Sequence, residues 1–311
     1  QTTNPKFKRI VGFLMEDISS GKTLSGAMAR HPDVFSPVFV AMVGAGEESG
    51  QLADSLRIVA GQLDKSFALQ RKVRGAMMYP AIIMFVMIVI GILMLIFVVP
   101  NLVSTFAEFK VELPLSTRIV IGLSGLLRSY VIYLLAAVIF IGFLTYKWLK
   151  TYAGRRTLDF VLLHMPLIGG IVKQVNAATT ARTLSSLISS GVNMLEALDI
   201  TQKVVQNTYY KDVILKARDG VEKGQPLSGF FQREEKLYPI LLGEMAEVGE
   251  ETGKLSDMLL NIATFYEAEV DAITKDMSTI IEPFLMLFIG VAVGFFAISM
   301  VQPMYAISGA M

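Results

Sequence analysis

Cysteine is absent from this chain. Disulfides, thiolate metal sites and thiol nucleophiles are therefore excluded. Histidine occurs only at His31 and His164, far apart in sequence. No imidazole cluster with metal-ligand spacing exists, and any metal chemistry would have to be carboxylate-only. Charge is scarce: Asp, Glu, Lys and Arg are 18% of the residues, against about a quarter in ordinary soluble proteins. The net charge of +1 gives no electrostatic reason to expect direct nucleic-acid binding. Catalytic signatures are missing too. Gly21-Lys22-Thr23 looks like the end of a phosphate-binding loop, but the glycine required at 16 is Glu16. Gly249 to Lys254 is one residue short of that loop and runs into Leu255. No Gly-x-Ser-x-Gly elbow or His-Glu-x-x-His run occurs. The expectation is a protein without enzymatic activity or cofactor.

Apolar residues are what the chain has: 53% of it, with a mean hydropathy of +0.55. No charge falls between Arg74 and Glu108, between Arg128 and Lys147, or after Glu282. About twenty helical residues cross the roughly 30 Å hydrocarbon core, so three spans are expected, at 76–100, 129–149 and 279–303. Arg71, Lys72 and Arg74 precede the first, and Lys147, Lys150, Arg155 and Arg156 follow the second. The positive-inside rule then places 1–75 and 150–278 in the cytoplasm. The 101–128 loop and the 304–311 tail lie on the other side. The spans carry no internal charge, which leaves an ion or proton pathway without evident carriers.

The chain also repeats itself at a shift of 203 residues. Gly21-Lys22-Thr23-Leu24-Ser25-Gly26 lands on Gly224-Gln225-Pro226-Leu227-Ser228-Gly229, and Gly46-Glu47-Glu48-Ser49-Gly50 on Gly249-Glu250-Glu251-Thr252-Gly253. Fourteen of the 40 positions from 21 to 60 are identical without a gap. A long fixed period of this kind marks a duplicated structural unit. Residues 182–203 would match positions before Gln1, so the first unit is expected to lack its beginning. Both copies share one orientation, unlike the inverted repeats of many transporters.

Each copy reads as all-helical. Thr23 and Ser36 suit N-caps, with Pro37 at a first helical position, and Pro226 and Pro239 are expected to do the same work in the second copy. Gly50 and Gly253 suit left-handed helix ends. An amphipathic helix then follows in each copy. Its apolar stripe is Leu52, Leu56, Val59, Leu63, Phe67, Val73 in the first and Leu255, Leu259, Ile262, Tyr266, Val270, Ile273 in the second. Neither meets a breaker before the membrane, so one continuous helix of some 45 residues, about 70 Å long, is expected in each. Pro80 and Pro283 sit at membrane entry and predict kinks there. Gly154 to Met165 is expected to form an amphipathic helix along the membrane surface. Helices from about Val172 to Ser190 and from Met194 to Val205 should follow, split at Gly191.

Several polar positions are candidates for contacts. Glu47, Glu48, Glu250 and Glu251 end a helix just before its glycine, which suits a solvated or structural turn, a subunit contact or a calcium-like site. Glu244, Glu247 and Glu251 form an acidic stripe at i, i+3, i+7 that the first copy lacks, having Ala41 and Gly44 there. It is either a solvated face or a docking face for a basic partner. Tyr79, Pro80, Glu282 and Pro283 are candidates at the membrane interface, and Glu282 could pair with a charged group on a partner span.

The ordered set of motifs resembles the type II secretion F / type IV pilus C family of inner-membrane platform proteins. It comprises the doubled Gly-Glu-Glu-(Ser/Thr)-Gly-x-Leu turn, Met78-Tyr79-Pro80, Glu112-Leu113-Pro114, Pro166-Leu167-Ile168-Gly169-Gly170, Ala181-Arg182-Thr183-Leu184, Gly191-Val192 and Glu282-Pro283. The resemblance covers essentially the whole chain. It implies an all-α membrane protein with two homologous cytoplasmic helical bundles, the first N-terminally truncated, and three transmembrane helices. It implies a homo-oligomer in the inner membrane, in contact with lipid, that couples a cytoplasmic assembly ATPase to pilin or pseudopilin assembly beside other inner-membrane assembly proteins. A small-solute or ion transporter subunit is the alternative.

Overall fold

A computed structural model of the protein describes residues 5–100, 115–166 and 168–308. Residues 101–114, which include Glu112-Leu113-Pro114, and Leu167 of the Pro-Leu-Ile-Gly-Gly run lie outside the described residues. Among the described residues the regular structure is helical throughout. The helices are α1 (Pro5–Ser19), α2 (Leu24–Ala29), α3 (Pro37–Glu48), α4 (Leu52–Leu93), α5 (Leu115–Leu149), α6 (Tyr152–His164), α7 (Ile168–Ser189), α8 (Met194–Val204), α9 (Thr208–Val221), α10 (Ser228–Arg233), α11 (Ile240–Thr252) and α12 (Leu255–Ser308). A π-helical turn, Met94–Val98, ends α4.

The chain divides into two compact units: Gln1–Lys72 with Tyr152–Ile273, and Val73–Thr151 with Thr274–Met311. In the first unit the duplication appears as geometry, since α1 to α4 correspond in order to α9 to α12. Moved by 203 residues, the starts of α3 and α4 fall on those of α11 and α12. Thr23 Oγ1 accepts from the Gly26 amide at 3.1 Å and Ser36 Oγ from the Phe39 amide at 3.3 Å, so both N-caps form as their side-chain oxygens suggest. The second copy differs. Pro239 replaces Ser36 and becomes the N-cap itself, without a side-chain bond. Past Pro226, α10 begins only at Ser228.

Helix α7 organises the first unit. Twelve of its residues are buried, Asn176, Thr180, Thr183, Ser185 and Ser186 among them. The hydroxyls of Thr180, Ser185 and Ser186 serve as crosslinks. Ser186 Oγ donates to Gln62 Oε1 on α4 at 3.0 Å, and Ser185 Oγ to the Ser256 carbonyl of α12 at 2.8 Å. Thr180 Oγ1 lies 3.1 Å from the Tyr238 hydroxyl, in a cluster where Tyr238 meets Tyr210 and Phe231 edge to face. Helix α6 packs on α7 and α9, and its Asp159 accepts from the Thr208 amide at the start of α9. Its inner face thus belongs to the bundle, while Tyr152, Phe160 and Val161 stay exposed.

The apolar stripe read for α4 packs only in part: Val59 is buried and Leu52 lies half-buried against the core of the first copy. Leu56, Leu63 and Phe67 are exposed, at 36%, 44% and 58%, and the buried residues are Ser55, Val59, Gln62 and Leu69. The stripe of α12 does pack: Leu259, Ile262, Tyr266 and Val270 are at most 5% exposed. The bond from Ser186 to Gln62 turns an adjoining face of α4 toward α7, and apolar spacing alone does not separate two faces of one helix.

Among the described residues three helices are long and apolar enough to cross a membrane. Their apolar windows have mean hydropathies of 3.3 in Leu52–Val98, 1.2 in Thr117–Leu134 and 2.2 in Ile281–Ser299. Helix α4 runs through Pro80, and α12 runs through Pro283 to Ser308, past the expected end of its span. The connection read as 101–128 is helical from Leu115, and the helical dihedral angles of α5 break at Tyr130 (φ −123°, ψ 22°). Beyond that break, Ala136–Leu149 is a shorter apolar stretch.

Candidate functional site

The doubled Gly-Glu-Glu turn is where sequence and structure converge most closely. Glu47 stands at the end of α3 and reaches back to the start of α2. Its Oε1 accepts from the Leu24 amide at 2.5 Å, and its Oε2 accepts from the Ser25 amide at 2.8 Å and the Ser25 hydroxyl at 2.5 Å. Glu250 repeats the arrangement on α10, accepting from the Leu227 amide at 2.6 Å and the Ser228 amide at 3.0 Å. Helix N-termini leave amides unsatisfied and carry partial positive charge, so a carboxylate serves them well. Burial pushes the Glu47 carboxyl up. The Ser25 hydroxyl and the Ser25 and Leu24 amides outweigh it and hold the group below the ordinary carboxylate range.

The flanking glycines have separate reasons. A Cβ on Gly249 would stand 2.7 Å from Leu255 Cα, and one on Gly46 would stand 2.4 Å from Ser55 Oγ, because the helix ending there touches the one that begins next. Gly50 and Gly253 have φ of +70° and +67°, the left-handed values that end a helix and that side chains disfavour. The first glutamate and the two glycines of the motif thus each answer to a local constraint. Glu48 and Glu251 do not turn inward; both are exposed.

Of the acidic stripe, Glu244, Glu247 and Glu251 all face outward from α11, and Glu247 accepts from Gln232 Nε2 at 2.7 Å. Leu241 and Val248 are exposed beside them. At the corresponding positions of α3, Val38 is buried and Ala41 and Ala45 are half-buried. The two copies therefore use the same helix face differently. Among the described residues no group of three His, Asp or Glu stands close enough to hold a metal ion.

One side chain that the spacing arguments passed over is Arg182. Its Nε and Nη2 donate to Glu267 Oε1 and Oε2 on α12 at 2.8 and 2.7 Å, with the side chains only 13% and 17% exposed. This two-pronged pairing fixes α7 against α12. Nearby, Lys72 on α4 pairs with Asp271 on α12 at 2.7 Å, so the two long helices are also tied to each other. Tyr79 and Glu282, the residues expected at membrane entry, are exposed, and each lies beside the proline of its own long helix. They belong to the second compact unit, and the glutamates of the doubled turn to the first.

The comparisons with known proteins agree with this layout. A model of the family described as type II secretion system (T2SS), protein F matches residues 1–100 and 180–303, the two stretches that contain the copies. A type IV pilus assembly protein PilC of Thermus thermophilus is 36% identical over 310 residues, covering 99% of this chain and 76% of the relative. The PilC of Myxococcus xanthus is 35% identical, covering 100% and 74%. A type II secretion system protein F of Xanthomonas campestris is 32% identical, covering 98% and 75%.

Proposed function

The chain belongs to the type II secretion system protein F family of multi-pass inner-membrane platform proteins, and from that premise we propose that it couples a cytoplasmic assembly ATPase to the assembly of pilin or pseudopilin subunits. It does so as a mechanical hub, without catalysis of its own and as a homo-oligomer. Both repeat units face the cytoplasm, in keeping with the basic residues that flank the first two spans. The exposed glutamates Glu244, Glu247 and Glu251 of α11 are its docking candidates for a basic face, and Glu282 its candidate contact within the membrane.

The observation that carries this reading is the continuity of α4 and α12. Each belongs to one copy, and each runs unbroken from bundle residues into an apolar span. A helix shared in this way passes a tilt or rotation of its bundle end into its membrane end. The test is to insert four glycines after Arg74 of α4. Membrane insertion and ATPase association are expected to persist while pilus or pseudopilus assembly is lost. Assembly at the original level would reject the coupling.

A further inference from the structure

Helix α5 has two unlike parts joined at Tyr130. From 129 to 146 it carries no charge, whereas its first part holds Arg118 and Arg128. The side chains of the first part sort onto three faces. Thr117, Val120 and Ser124 are buried, at 0%, 3% and 3% exposed. Ile119, Leu123, Leu126 and Tyr130, spaced by four, three and four residues, are an exposed apolar ridge, each at least 46% exposed. Arg118, Gly122, Gly125 and Ser129 form a neighbouring exposed stripe that is polar or lacks a side chain.

The packed face says where this helix lies. Ser124 Oγ donates to the Leu95 carbonyl at 2.6 Å, in the π-helical turn that ends α4. Thr117 Oγ1 donates to the Ser299 carbonyl of α12 at 2.6 Å. Val120 packs with Val99, and Leu95, Ile121 and Phe296 close around them. A π-turn leaves carbonyls without their usual helical partners, and a serine hydroxyl is a natural replacement within a membrane. Moved by 203 residues, Leu95 falls on Ile298, next to Ser299, so the two hydroxyls reach the same level of the two equivalent spans. That level is the end of each span farthest from its bundle residues.

We infer that residues 115–130 form an interfacial clasp: the ridge of Ile119, Leu123, Leu126 and Tyr130 embeds in the leaflet opposite the repeat units, with Arg128 at the phospholipid phosphates. The crossing itself falls to the uncharged stretch from 129 onward. A helix with an apolar ridge beside a polar stripe lies in the headgroup region. The two arginines make a crossing by 117–134 costly next to an uncharged alternative in the same helix. The clasp holds the outer ends of α4 and α12 together and to the bilayer surface.

The absence of cysteine makes the test direct. Leu123→Cys, Leu126→Cys, Gly125→Cys and Ser129→Cys are made one at a time in the full chain and spin-labelled. Gly125 has nothing within 4 Å of an added Cβ, so that substitution is accommodated. The proteins are reconstituted in vesicles of phosphatidylethanolamine and phosphatidylglycerol, after unchanged thermal melting shows that they are folded. Labels at 123 and 126 are expected about 5–10 Å below the phosphates and more accessible to oxygen than to an aqueous nickel complex. Labels at 125 and 129 should show the opposite preference. A label at 126 near the bilayer midplane would make 117–134 the span and overturn the inference, as would four labels all in water. In the spin-labelled Leu126→Cys background, Arg128→Glu should move the label toward water; an unchanged depth would overturn the phosphate contact.

Discussion

Glu47 and Glu250 hold the same place in the two copies, each gripping with both carboxylate oxygens the first amides of a short helix 22 and 23 residues before it. The residue pair that suits a calcium-like site in the sequence is, in its first member, a helix cap. The first member of each pair is half-buried and the second is exposed.

Replacing either inward carboxylate with the isosteric amide keeps the shape and removes the charge. Glu47→Gln and Glu250→Gln should each destabilise the protein by about 1–2 kcal/mol, the range of helix-capping losses. Chemical denaturation in detergent is the check, and Glu48→Gln is the control expected to change stability by less than about 0.5 kcal/mol.

The Glu47 cap has a pH signature. Its carboxyl is held below the ordinary 4.5, so the folded form binds protons less readily than the unfolded one. The stabilisation is fully present above 4.5 and is lost as pH falls through the lower folded value. Glu47→Gln should lack this acid-side limb, so the gap between it and the unsubstituted protein should narrow as the solution is acidified below about pH 4.5. Thermal melts between pH 6 and pH 3 would show it, and parallel curves would contradict it.

Two glycine substitutions should have opposite signs. Gly249→Ala drives a methyl group into Leu255 Cα at 2.7 Å and should cost about 1–3 kcal/mol. Gly61, inside α4, has nothing within 4 Å of an added Cβ. Gly61→Ala should stabilise by about 0.5–1 kcal/mol through helix propensity. Melting temperatures of the two variants should therefore move in opposite directions.

Arg182 and Glu267 should behave as a coupled pair. Removing one partner leaves a mostly buried charge, so Arg182→Ala should cost about 2–4 kcal/mol. Arg182→Lys should recover only part of this, because an ammonium group does not reproduce the two parallel bonds. A double-mutant cycle with Glu267→Gln measures the coupling.

The outward face of α11 should respond in association and not in stability. Charge reversal at Glu244 and Glu247 should weaken binding of the assembly ATPase at least tenfold while leaving the melting curve within about 0.5 kcal/mol of the original. Unchanged binding would dismiss the docking role. Glu282→Gln should weaken assembly in the membrane, read as loss of crosslinked oligomer.

The helices were largely legible because their signals are local. Thr23 and Ser36 set where α2 and α3 begin, Gly50 marks where α3 gives way to α4, and the shift of 203 residues pairs α2 to α4 with α10 to α12. Uncharged runs picked out the apolar parts of α4 and α12 for the same reason, since the cost of a charge in lipid is a property of the residue itself. The sequence did not decide which face of a helix would be covered. Leu56, Leu63 and Phe67 have the spacing of a buried stripe, yet α7 meets α4 through Gln62 and meets α12 through Ser256 and Glu267. Nor could it show that Glu47 turns inward and Glu48 outward, or that Ser124 satisfies a carbonyl in a π-turn. Those outcomes depend on groups brought together from distant parts of the chain, and only packing chooses among faces whose local chemistry is equally suitable.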